Sequence, residues 1–278
     1  MNICFIADYF ANEIPGGGEL NNQEFINIAQ SRGHRVKQVK SASANIKYLK
    51  SLVNYKFIVA NFIQLPKNSI GFLLNKDYVI YEHDHKYLKS RNPAAYEQFL
   101  APKEEIINYD FYQNAKAVFC QSVFHADIVK DNLHLENIYN LSGNLWKVET
   151  LDFIQQLSTG NKEDICVVMD SPTGHKNTSG AIRYCVVSGL EYKLIPPLSY
   201  YDFLQEMSHC DKFIFFPKTP ETLARVVVEA RMLGMKTINN KLVGATKEDW
   251  FNLKGKDLID CMREKRNSIV DMVLEKIK

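Results

Sequence analysis

Short apolar runs alternate with longer stretches of helical periodicity along the whole chain. Asn2–Ala7 is apolar and of strand length. Glu19–Arg32 carries Leu20, Phe25, Ile28 and Ala29 at helical spacing and stops at Gly33. His34–Lys40 predicts a second strand, and Tyr55–Phe62 and Tyr78–Tyr81 two more, with a short helix near Ser69–Asn75. Pro93–Asn114 predicts a helix broken at Pro102. Ala115–Cys120 is another strand, Gln121-Ser122 opens a helix to about Asn132, and Glu136–Leu141 is the last strand of this half.

Ser142-Gly143-Asn144 is a turn, Val148–Leu157 predicts a connecting helix, and Ser158–Asp164 is polar. A boundary is therefore expected within 142–163, dividing the chain into domains 1–145 and 146–278. The alternation then resumes: strand Ile165–Met169, helix Asn177–Val187, strand Tyr192–Ile195, helix Tyr200–Ser208, strand Phe213–Phe216 and strand Lys236–Asn240. Asp257–Ile277 has one apolar face and closes the chain as an amphipathic helix. Strands and helices in strict alternation predict an α/β protein with parallel sheets.

The stretch 211–245 concentrates candidate chemistry. After Phe213–Phe216, Pro217 and Pro220 end the strand, and Thr219 and Pro220 suit the cap and first turn of a helix. That helix is expected from Glu221 to Leu233, stopping at Gly234. Amides at such an amino end bind phosphate. Glu221, Arg225 and Glu229 then share one face. Two readings stay open: a solvated stripe of salt bridges, or carboxylates facing a ligand at the mouth of the sheet. Spacing does not choose between them, since Glu97 and Glu105 are separated identically.

Composition narrows the class. The 278 residues are 46% apolar and 24% charged, which is ordinary for a globular protein, and a net charge of +2 argues against a dedicated polyanion binder. The six cysteines form no CxxC pair and read as buried thiols of a cytoplasmic protein. The amino terminus reads as a strand and not as a signal peptide, and no run approaches membrane-spanning length.

Two further clusters qualify as site candidates. Gly16, Gly17 and Gly18 lie between the first strand and its helix, where backbone amides can approach a ligand closely; the competing reading is a plain surface turn. Glu82-His83-Asp84-His85-Lys86 follows the strand Tyr78–Tyr81. A metal site there lacks a second cluster to complete its shell, which leaves hydrogen bonding to substrate or an exposed polar loop. Lys86, Lys89 and Arg91 are placed to steer an anionic acceptor or donor phosphate, or to solvate the loop.

The segment PETLARVVVEARMLGMKTI resembles the glutamate-x7-glutamate segment of family 4 (group 1) retaining glycosyltransferases, with Glu221, Glu229, Ala230 and Gly234 matching. GGGELNNQEFINIAQSRGHRV is similar to that family's first loop and helix at Gly17, Gly18, Ala29, Gly33, His34 and Val36. AKAVFCQSVFHADIV resembles the segment that closes its first domain. The resemblance implies a GT-B fold, two Rossmann-like domains facing across a cleft, with the last helix packing back on the first domain. It implies sugar transfer from a UDP-, GDP- or ADP-sugar with retention, without metal or further cofactor. The acceptor would be a glycan, a lipid-linked sugar or nucleic acid.

By the same resemblance Lys176 and the amides of Thr222, Leu223 and Ala224 hold the diphosphate. Glu229 holds the ribose, and Glu221 orients the hexose and supports charge at the anomeric carbon. His83, together with Gly16–Gly18, completes the site, and Asp84, His85 and Lys86 lie on the acceptor side. Two positions depart from the family pattern: Asp170 stands where a phosphate-binding arginine is usual, and Leu223-Ala224 where Phe-Gly is usual.

Overall fold

The computed structural model describes residues 1–278. Ten strands and ten helices alternate. In order they are β1 (Asn2–Ala7), α1 (Gly17–Ser31), β2 (Arg35–Lys40), α2 (Ile46–Lys50), β3 (Tyr55–Val59), α3 (Lys67–Leu73) and β4 (Tyr78–Tyr81). Next come α4 (Tyr109–Gln113), β5 (Val118–Cys120), α5 (Val123–Leu133), β6 (Ile138–Asn140) and α6 (Val148–Ser158). The rest are β7 (Glu163–Met169), α7 (Thr178–Val187), β8 (Tyr192–Ile195), α8 (Tyr200–Ser208), β9 (Cys210–Phe215), α9 (Arg225–Met232), β10 (Lys236–Asn239) and α10 (Gly255–Ile277).

The chain divides into two compact units, one of residues 1–145 and 265–278, the other of 146–264. The first unit holds a six-stranded sheet in the order β2-β1-β3-β4-β5-β6, the second a four-stranded sheet in the order β10-β9-β7-β8. Every strand pairing in both sheets is parallel. Each unit is Rossmann-like.

Parallel strands joined by crossover helices are covered on both faces, so they read as continuous apolar runs. β1 shows the effect: Cys4 and Ile6 enter one core with Phe57, Val59, Tyr78 and Ile80. Ile3, Phe5 and Ala7 enter the opposite core with Ile58, Val79 and Tyr81. In the second unit Val167, Phe213 and Phe215 line one face and Cys166, Val168 and Ile214 the other.

Two expected elements differ. Pro93–Asn114 is not a broken helix: it consists of short 3-10 turns at 93–95, 97–99 and 103–105 followed by α4. Gln98 and Phe99 take positive φ, and Leu88 bridges Ile106 antiparallel across the loop, so pairing between residues apart in sequence replaces helical bonds. The second difference, at Glu221, lies in the candidate site.

Candidate functional site

In the second sheet the chain leaves β7 toward β8 on one side and reaches β9 on the other. The carboxyl ends of β7 and β9 therefore form the topological switch point, where open α/β sheets bind ligands. The loops after these strands meet there. Lys218 donates its amide to the His175 carbonyl at 2.8 Å, and the Asn177 side-chain amide donates to the Phe216 carbonyl at 2.8 Å. Lys176 Nζ donates to both carboxylate oxygens of Glu221, at 2.8 and 2.9 Å, and lies over the Phe215 ring. Both side chains are largely shielded, at 28% and 14% exposure. Asp170 opens the first of these loops, its amide bonded to the Ile195 carbonyl.

Glu221 does not sit in a helical turn. Its amide donates to the Leu242 carbonyl at 2.8 Å, and its own carbonyl accepts from Gly244 at 3.0 Å. These bonds form an isolated parallel bridge between Glu221 and Val243, outside the strands of the sheet. Leu223 continues it by accepting from Ala245 at 2.9 Å. Tertiary pairing thus overrides the capping signal of Thr219-Pro220, and α9 starts at Arg225, four residues later than its sequence predicts. Leu223 is buried in the core, and Ala224 caps the helix at φ 67°, ψ 73°. That left-handed conformation is natural to the glycine usual in the family pattern and strains an alanine by about 1 kcal/mol.

Glu229 lies on α9 and is 3% exposed. Its Oε1 accepts from Trp146 Nε1 at 2.9 Å, from the Tyr200 hydroxyl at 2.5 Å and from Arg225 Nε at 2.9 Å. The Arg225 guanidinium lies 4.3 Å from the Trp146 ring centroid, a cation–π geometry. Burial, with the neighbouring Glu229 charge, holds the Tyr200 phenol far above its ordinary value. Trp146 and Tyr200 have no counterpart in the sequence motifs: Trp146 sits in a linker, and Tyr200 is one of a pair opening α8.

In the first unit the switch point falls between β1 and β3. Asp8 directly follows β1 there and is buried. It accepts from the amides of Ile63 and Gln64, both at 3.0 Å, and from the Ser41 hydroxyl. A carboxylate directly after a first parallel strand was the available signal for this residue. Gly16 precedes α1, and Gly17 and Gly18 form its first turn. None of the three takes positive φ, so backbone conformation does not demand glycine at these positions. A Cβ on Gly18 would stand 3.6 Å from His83 Cγ, so the loop and the histidine are brought together.

The His83 ring meets Asn22 Oδ1 through Nε2 at 2.5 Å and the Gln121 side-chain amide through Nδ1. A neutral imidazole with its proton on Nε2 satisfies both contacts. Removal from water pushes its pKa down to about 3, which keeps that form. Glu19, in the first turn of α1, has its carboxyl raised by burial.

Glu82 is fully buried and accepts from Lys86 Nζ, the Tyr112 hydroxyl and the Asp84 amide. Burial raises its carboxyl above the ordinary range, against the pull of Lys86. Lys86 is 3% exposed, and His85 packs edge-on to Tyr87 and His125. The steering role expected of Lys86 does not fit this placement, because a buried lysine bonded to a carboxylate projects little field toward solvent. Lys89 pairs with Glu105 and Arg91 with Asp84. Nowhere do three or more His, Cys, Asp or Glu side chains gather in a geometry that could hold a metal ion. No helix is long and apolar enough to cross a membrane.

No protein-family model and no curated protein sequence matches this chain. Solved structures do. Anabaena HepE, in complex with UDP and glucose, superposes with a TM-score of 0.55 over 100% of this chain and 96% of its own, at 14% identity. The fold is GT-B. An α,α-trehalose-phosphate synthase (UDP-forming) from Burkholderia vietnamiensis gives 0.58 over 99% and 93% at 8% identity. An α-glucosyltransferase bound to UDP and a 13-mer DNA gives 0.52 over 100% and 95% at 12% identity.

Proposed function

We propose that this protein transfers a sugar from a nucleoside-diphosphate sugar to an acceptor hydroxyl, with retention at the anomeric carbon. The observation that carries the proposal is the Lys176–Glu221 pair at the switch point of the second sheet. It sets a flexible cation and a carboxylate side by side where a parallel sheet binds its ligand. Support comes from the GT-B neighbours whose complexes contain UDP or UDP-glucose.

In this mechanism Lys176 leaves Glu221 for the diphosphate and, with the backbone of Thr222, Leu223 and Ala224, stabilises the leaving charge. Glu221, released from the lysine, orients the hexose and supports positive charge developing at the anomeric carbon. Glu229 serves the ribose hydroxyls from its buried position, the Tyr200 hydroxyl yielding to them. His83 stays neutral beside Gly18 and reaches a substrate only by giving up its hydrogen bond to Asn22 or to Gln121. Asp84 is the acceptor-side residue least enclosed by its neighbours.

A second reading has a specific observation behind it. Asp170 replaces a phosphate-binding cation, and Lys176 is engaged by Glu221. Both suit a module that binds nucleotide or sugar without turnover. Calorimetry with UDP-, GDP- and ADP-sugars, paired with a donor-hydrolysis assay, separates the two. Binding with turnover supports transfer, and binding without turnover across a panel of glycan, lipid-linked and nucleic-acid acceptors supports the module. No binding of any nucleotide sugar refutes both.

A further inference from the structure

β8 is the outer strand of the second sheet. Tyr192 and Leu194 on it are 37% and 40% exposed, and α7 ends just before it in the exposed Val186 and Val187. In a parallel ladder a residue turns both peptide groups to the same side, and neighbours alternate. The Glu191 carbonyl accepts from Cys166 and the Ile195 carbonyl from Asp170, so these residues face β7. Tyr192 and Leu194 therefore turn their N–H and C=O outward, an open template for another strand. Pro196 and Pro197 end the template on one side.

The residues along this edge are Leu190-Glu191-Tyr192-Lys193-Leu194. Read from Tyr192 in either direction, leucine answers leucine and glutamate answers lysine. We propose that two copies of this chain join through β8, antiparallel about a two-fold axis at Tyr192, so that one sheet runs through both. Tyr192 then exchanges N–H···O=C bonds with the partner's Tyr192. The Leu194 amide donates to the carbonyl of the partner's Leu190. Leu190 contributes only its carbonyl, because its own amide already donates to Cys185.

Residues directly opposite in such a pair lie on the same face. Glu191 meets the partner's Lys193, and the symmetry repeats the pair. Lys193 also donates to Glu206 at 2.6 Å within the chain, so in the dimer it stands between two carboxylates. On the other face Tyr192 and Leu194 continue the row begun by Leu190, which packs on the core of Cys166, Val168, Ala181 and Cys185. Centring the axis on Leu194 instead would set Lys193 against an isoleucine and leave Glu191 without a cation. Self-complementarity of charge about one residue is what selects a second copy over an unrelated strand.

Sedimentation equilibrium of the full chain tests this. The wild type should dimerise reversibly. Glu191→Lys turns two attractive cross-strand pairs into two repulsive ones and should weaken the dimer roughly tenfold or more. Adding Lys193→Glu to that variant should restore it. Tyr192→Pro removes one outward N–H and leaves the β7 ladder untouched, so it should yield a folded monomer by circular dichroism. A wild type that stays monomeric at about 0.1 mM overturns the proposal. So does a dimer whose affinity neither Glu191→Lys nor Tyr192→Pro changes.

Discussion

Replacing Glu229 by alanine should destabilise the second unit well before it reports on any ligand. The carboxylate is 3% exposed and the Arg225 side chain 9%. Removing one partner of a buried ion pair leaves the other charge without compensation, at a cost of about 3–5 kcal/mol. Two more donors, Trp146 Nε1 and the Tyr200 hydroxyl, lose the same acceptor. The loss is a large share of the roughly 5–15 kcal/mol that holds a folded protein together. Glu229→Gln keeps a carbonyl oxygen for the donors but still removes the charge opposite Arg225, so it should recover only the neutral hydrogen bonds, about 0.5–1.5 kcal/mol each, and remain clearly destabilised. Glu229→Leu combined with Arg225→Met removes both charges and should recover part of the loss. The assay is urea unfolding followed by tryptophan emission, since both tryptophans, Trp146 and Trp250, belong to this unit. A Glu229→Ala midpoint shift worth less than about 1 kcal/mol would refute the reasoning. It would mean that Arg225 finds water or another acceptor once the carboxylate is gone.

Glu221→Ala should abolish sugar transfer yet leave nucleotide affinity unchanged or slightly tighter, because it releases Lys176; an unchanged rate in a donor-turnover assay removes Glu221 from its assigned role. His83 has a folded pKa of about 3 against an ordinary 6.5. Its stabilising contribution is full above pH 6.5 and is lost as pH falls toward 3, where the unfolded chain binds a proton that the folded chain refuses. Well below pH 6.5, wild type should therefore lose up to about 1.4 kcal/mol per pH unit more than His83→Gln in parallel urea titrations. Gly18→Ala fits beside His83 and lies in a helix, so it should raise stability by about 0.5–1 kcal/mol. If ligand backbone contact needs that space, the same variant should weaken donor or acceptor binding, and calorimetry separates the two effects.

Much of the fold was legible because strands covered on both faces leave plain apolar runs. Tyr78–Tyr81, Tyr192–Ile195 and Tyr200–Ser208 coincide with their expected bounds. The misses share a cause. At 93–114 and at Glu221 local signals favoured helix, and pairing with residues distant in sequence prevailed. Apolar periodicity carries no record of such pairing. The acidic positions of the second unit could be named from motif spacing. Their partners could not, because Trp146, Tyr200 and Glu229 come from three separate elements. The buried Lys86 shows the opposite failure, where a charge cluster read as surface is an interior network centred on Glu82.

Asp8 has a consequence of its own. One side chain grips the turn leaving β2 through Ser41 and the turn leaving β3 through two consecutive amides. Three loops of the first unit are thereby stapled at a single point, and none can shift without straining the others. Substituting Asp8 should loosen this whole rim together, so that amide exchange quickens at 41, 63 and 64 in step.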